Sequence, residues 1–167
     1  MLTPFRSIAG VLAFALLFAC APQAIAQRSA VEARHGLVTS AHELASRAGI
    51  EILQKGGNAI DAAVATGLAL TVVYPFAGNI GGGGFMVIHL AEANGQPARD
   101  LIIDYRETAP AAATRGMYVG ADGKVLTDEG SSTVGWKASG VPGSVAGFAL
   151  ALEKYGSHRV SWADVCE

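Results

Sequence analysis

Cysteine is scarce: Cys20 and Cys166 are the two in 167 residues. A disulfide framework or a cysteine-rich metal site therefore has no material. Basic charge is thin as well, with 12 Lys+Arg against 14 Asp+Glu and a net charge of -2. No Lys/Arg run makes the electrostatic footprint that nucleic acid or an anionic membrane needs. No uninterrupted apolar run reaches the about 20 residues that span a bilayer. His35, His42, His89 and His158 are scattered, without an i, i+4 pair, so no metal site is expected and no cofactor is implied. Gly78 to Gly84 lacks a G-x-G-x-x-G opening a helix, which excludes a dinucleotide fingerprint. Gly130 to Gly135 has the glycine spacing of a phosphate loop, but Trp136 stands in the lysine's place. Gly143-Ser144-Val145-Ala146-Gly147 misses the G-x-S-x-G nucleophile elbow by one place.

What is present begins with a leader. Arg6, the apolar stretch from Ile8 to Ala19 and the small residues Ala24-Ile25-Ala26 read as a secretory signal peptide over residues 1–26. Its removal takes Arg6 and makes the net charge one unit more negative. The expected location is periplasmic or secreted. Leu17-Phe18-Ala19-Cys20 offers a second reading, a lipoprotein processing site that would anchor the chain at Cys20. Cleavage at Ala26 would leave Cys166 alone, with no internal disulfide possible. Residues 27–167 then form one domain by length.

Along that domain, His35 to Ser40 reads as a short strand, and Ser40 with Glu43 has capping-box spacing for a helix over His42 to Lys55 that Gly56-Gly57 ends. Asn58 caps a second helix, apolar nearly all round and therefore buried, whose one charge, Asp61, sits in the first turn where the helix dipole favours an anion. Pro75 stops it. Phe85 to Leu90 and Leu101 to Tyr105 flank Asn94-Gly95 and predict an antiparallel hairpin. Ala111 to Trp136 predicts a long surface excursion turning at Asp122-Gly123. A helix follows from Val145 to Tyr155, ended by Gly156. Ser161 and Asp164 cap a further helix just before Glu167, so the chain reads as a truncated piece of a longer protein.

Two features are candidates for a site. Gly81-Gly82-Gly83-Gly84 runs straight into the apolar strand, unlike a flexible linker, and implies positive φ or close approach of another backbone or of a ligand. The structural role is preferred, and Gly82→Ala is expected to impair folding before it changes ligand affinity. Arg106 follows the apolar run Leu101 to Tyr105, on a rigid element. Its planar fork suits a ligand carboxylate, or equally an internal salt bridge with Asp104 or Glu107.

Four blocks in order, Gly56 to Ala65, Gly78 to Phe85, Asp104 to Pro110 and Ser139 to Gly147, closely resemble the start of the large subunit of gamma-glutamyltranspeptidases. The resemblance covers about residues 35–161. It implies an α/β (α+β) fold, an incomplete N-terminal-nucleophile hydrolase αββα sandwich. It implies a zymogen that cleaves itself into two subunits, this chain's partner being the small subunit from the same precursor. The small subunit's first residue, a threonine, is the nucleophile, with its α-amine as base. It attacks the γ-amide of glutathione or another γ-glutamyl compound, and water or an amino-acid or peptide acceptor resolves the acyl-enzyme. Arg106 takes the role of holding the substrate's α-carboxylate, and Gly81 to Gly84 become scaffold beside the site. No threonine here stands in for the nucleophile, so the chain alone is expected to be inactive. Cephalosporin and glutaryl acylases share several of these blocks and are the alternative; a non-catalytic secreted remnant is the third reading.

Overall fold

The computed structural model describes residues 30–93 and 95–167. The chain divides into two units, Met1–Arg34 and His35–Glu167. Of the first, residues 30–34 are described and form neither helix nor strand. The leader expected over 1–26, with its processing sites, lies outside the described residues.

The second unit is mixed helix and strand. Helix α1 spans Glu43–Gln54. Its N-cap is His42, whose Nδ1 accepts from the Leu44 amide at 3.2 Å. This corrects the expected Ser40–Glu43 capping box. Ser40 lies two residues too early, so its hydroxyl donates to the His42 carbonyl at 2.8 Å instead, and Glu43 pairs with Arg47 one turn on. The preceding segment, expected as a strand, has no ladder partner and stays irregular. At the other end Gly56 takes φ +93°. The Gly56 and Gly57 amides reach back to the carbonyls of Leu53 and Ile52 at 3.1 and 2.9 Å, a Schellman closure.

Helix α2, Ala59–Val73, starts with a true capping box: Asn58 Oδ1 accepts from the Asp61 amide at 3.0 Å, and the Asp61 carboxylate accepts from the Asn58 amide at 2.7 Å. Its first half is buried as expected, but from Gly67 onward it is only partly covered, and Val72 is 77% exposed. Gly67, Leu70 and Thr71 of that half line an open cleft, while Leu68 packs against the core. Tyr74, before Pro75, leaves helical geometry at φ -144°, ψ 52°.

Strands β1, Phe85–Leu90, and β2, Arg99–Asp104, pair antiparallel with Val87 opposite Ile102. Ala93 and Gln96 exchange backbone hydrogen bonds around Gly95 at φ +74°, closing the expected turn; Asn94 itself lies outside the described residues. Ile88 and Ile103 turn inward to a core with Ile52, Val64, Phe148 and Val165. Phe85, Val87 and Ile102 stand on the opposite face, which is exposed. The segment after β2 runs over the surface as predicted, turning at Gly123 (φ +77°) between bridged Val119 and Val125.

Helix α3 spans Ser144–Tyr155 and helix α4 spans Trp162–Cys166. The Ser161–Asp164 box forms as expected, and its hydrogen bonds, from the Ser161 side chain foremost, hold the Asp164 carboxyl below its ordinary range. Helix α3 is tied to the start of α2. Asn58 Nδ2 donates to the Tyr155 carbonyl at 2.8 Å, and the Ser157 amide donates to Asp61 at 3.0 Å. Asp61 is 1% exposed and satisfied by backbone amides, which is the structural role expected of it.

Candidate functional site

Tyr105 to Thr108, leaving the end of β2, is held on both sides by glycine-bearing backbone. On one side the Tyr105 amide donates to the Gly84 carbonyl at 3.0 Å and the Gly84 amide returns at 3.4 Å, continuing the hairpin ladder. On the other, Thr108 and Val141 exchange hydrogen bonds at 3.3 and 2.9 Å. The two flanks are joined below. Helix α3 has no side-chain cap, and the Gly82 carbonyl accepts from the amides of Gly143 and Ser144 at 2.9 and 3.1 Å, supplying its missing N-cap. Ser144 Oγ donates to the Asn79 carbonyl at 3.1 Å, so that hydroxyl is engaged structurally.

Close approach explains the glycine run; positive φ does not, since none of Gly81 to Gly84 is in the left-handed region. The crowding falls on Gly83 rather than on Gly82, the residue whose alanine substitution was expected to impair folding. A β-carbon on Gly83 would lie 2.5 Å from the Tyr105 carbonyl oxygen and 2.7 Å from the Glu107 nitrogen, both backbone. One on Gly82 would meet nothing nearer than the side-chain oxygens of Asn79 and Glu107, at 3.3 and 3.4 Å. Gly81 is freer still, and Gly84 faces the Tyr105 ring at 3.2 Å.

Arg106 sits in the middle of this clamp. Its amide donates to Asp104 Oδ1 at 3.0 Å, and its side chain is exposed. Among the described residues its guanidinium makes no ion pair, so the internal salt bridge with Asp104 or Glu107 is not formed. Its neighbours Tyr105 and Glu107 line a cleft of about 950 Å³, together with Asn79, Gly82, Gly83 and Ser144. An exposed cation on backbone pinned at both edges can orient an anion at little backbone entropic cost.

Sequence reading missed Tyr105. Its ring is wedged against Gly84, Gly147 and Phe148, the last edge-on at 5.7 Å between centroids, and burial raises its phenol above the ordinary tyrosine range. The signal lay in Gly143 and Gly147, four apart and so on one face of α3's first turn.

The gamma-glutamyltranspeptidase family model matches residues 45–167. The chain belongs to this family. It is 54% identical over 132 residues to the glutathione hydrolase proenzyme of Pseudomonas sp. (strain A14), covering 79% of this chain and 22% of that protein. The Acylase ACY 1 proenzyme of Pseudomonas sp. (strain V22) is 43% identical over 126 residues, with coverage of 73% and 22%. The crystal structure of Helicobacter pylori gamma-glutamyltranspeptidase superposes with a TM-score of 0.73 at 47% identity, over 82% of this chain and 37% of that one. The chain thus spans about a fifth of the length of these curated relatives.

Proposed function

We propose that this chain supplies the large-subunit segment of a glutathione hydrolase and γ-glutamyltransferase, with Arg106 binding the α-carboxylate of the γ-glutamyl donor. The carrying observation is that Arg106, exposed and without an ion pair among the described residues, lies between two cleft-lining residues on backbone hydrogen-bonded at both flanks. In this reading the segment is one part of an αββα sandwich, and the exposed face of the β1–β2 hairpin turns toward the rest of it. The threonine nucleophile comes from the small subunit of the same precursor, and Arg106 fixes the donor so that its γ-amide faces that threonine. The leader over 1–26 directs the protein to the periplasm or outside the cell.

The 43% identity to an acylase proenzyme supports a second reading, with a glutaryl rather than a γ-glutamyl group as donor. Both donors carry the carboxylate that Arg106 would bind, and they differ in the α-amine.

A chimera tests this, with residues 45–167 replacing the matching segment of the Pseudomonas sp. (strain A14) proenzyme. Its donors are the 4-nitroanilides of γ-glutamic, glutaric and 4-aminobutyric acids, the last lacking the carboxylate. Two charge-assisted hydrogen bonds at about 1.5 kcal/mol or more each imply that Arg106→Ala lowers kcat/KM for the γ-glutamyl donor roughly 100-fold. The γ-glutamyl to 4-aminobutyryl preference should collapse with it. A preference that survives Arg106→Ala rejects the role, and a parent chimera that favours the glutaryl donor selects the acylase reading.

A further inference from the structure

The geometry points to Tyr105 as a positioning residue for the donor carboxylate: its ring, keyed into a socket of Gly84, Gly147 and Phe148, sets the direction in which the adjacent Arg106 projects. This rests on the reading of Arg106 given above.

The backbone at Tyr105 is determined by contacts that leave no slack. Its amide and carbonyl are both paired with Gly84. Its carbonyl oxygen lies where β-carbons of Gly83 and Gly143 would have to be. Its β-carbon and ring occupy the place of a β-carbon on Gly147. The ring also meets Phe148 edge-on, and Phe148 is 8% exposed and packs against Gly67 of α2, so the socket is fixed to the core. Successive side chains of an extended segment point to opposite sides. A ring locked inward at 105 therefore sends residue 106 outward, and a rotation of the peptide between them would redirect the guanidinium. Arg106 has no partner of its own to hold it, as its side chain makes no ion pair among the described residues. Its aim is inherited from its neighbour. The Tyr105 hydroxyl takes no part, since it makes no hydrogen bond to the described residues, so the function resides in the ring.

The test uses the same chimera and the ratio of kcat/KM for the γ-glutamyl donor to that for the 4-aminobutyryl donor. Tyr105→Leu keeps apolar fill but loses the planar key; it should raise KM for the γ-glutamyl donor about tenfold, with kcat changed far less, and lower the ratio by a similar factor. Tyr105→Phe should restore the parent ratio. Tyr105→Leu added to Arg106→Ala should lower the ratio no further. A purely structural residue would reduce turnover of both donors equally and leave the ratio alone, and that result overturns the proposal. Should Tyr105→Leu yield no processed enzyme, Phe148→Leu, which leaves Tyr105 in place and removes its edge contact along with some core packing, should lower the ratio in the same direction. An unchanged ratio there, or loss of processing in both variants, marks the ring as a folding element and also overturns it. The two readings separate cleanly. A ratio indifferent to Arg106→Ala removes the carboxylate role itself, whereas one that responds to Arg106→Ala and not to Tyr105→Leu removes only the positioning role.

Discussion

Asp61 shows how one buried carboxylate can serve two elements. It receives the Asn58 amide at the start of α2 and the Ser157 amide just beyond α3, while Asn58 reaches from the same cap to the Tyr155 carbonyl. These groups are 96 and 97 positions apart in the chain, so the pair joins the start of α2 to the end of α3. Water reaches this carboxylate hardly at all, at 1% exposure. Truncation would strand two backbone amides at a cost of about 2 to 4 kcal/mol, because an orphaned buried donor loses its full compensation for desolvation. In the chimeric enzyme Asp61→Ala should lower the thermal midpoint by several degrees and reduce the processed fraction. Asp61→Asn, which keeps one acceptor oxygen, should cost less. A midpoint unchanged in Asp61→Ala would show that the cap is dispensable.

At the scale of elements, the glycine run acts as a junction between β1, the Tyr105 to Thr108 strap and the head of α3. Gly83 gives room, its missing side chain letting two backbones touch; Gly82 gives a carbonyl, which caps α3. Alanine changes the first and leaves the second intact. Gly83→Ala should therefore block folding or self-cleavage of the chimera, visible as unprocessed precursor on a denaturing gel, while Gly82→Ala should be processed normally. Equal processing of the two would refute this assignment. The sequence makes the helices and the hairpin legible because their signals are local: Asn58 with Asp61, Gly56-Gly57, and Asn94-Gly95 each act within four residues. Ser40 misled because a serine at capping-box spacing from a glutamate says nothing of a histidine two places later that also accepts from a helix amide. Which glycine is crowded, and that Tyr105 is the wedge, depend on segments meeting across some twenty to forty positions. No local periodicity carries that; block-wise resemblance to the family offers Arg106 as a candidate only.

For the molecule as a whole, the core lies on one side of the hairpin. The helices cover Ile88 and Ile103, whereas Phe85, Val87 and Ile102 are 55%, 75% and 65% exposed on the other face. Two strands with one bare apolar face are poorly placed to stay apart in water. Chemistry is divided in the same way. The segment carries a candidate anion-binding arginine, yet among the described residues no Ser, Thr or Cys side chain hydrogen-bonds a histidine ring. Thr66 and Thr71 spend their hydroxyls on helix carbonyls, and His89 is engaged with Asp100. Acyl transfer needs a nucleophile beside a base, and neither half of that pair is assembled here. The 167-residue chain by itself should thus release no 4-nitroaniline from the γ-glutamyl donor. It should bind a hydrophobic dye and elute as self-associated material, whereas the chimera, with the same residues in a complete proenzyme, should be active, dye-silent and discrete in size. Turnover by the isolated chain that disappears in Arg106→Ala would place a nucleophile within these residues, and a monodisperse, dye-silent chain would mean the bare hairpin face is tolerated in water.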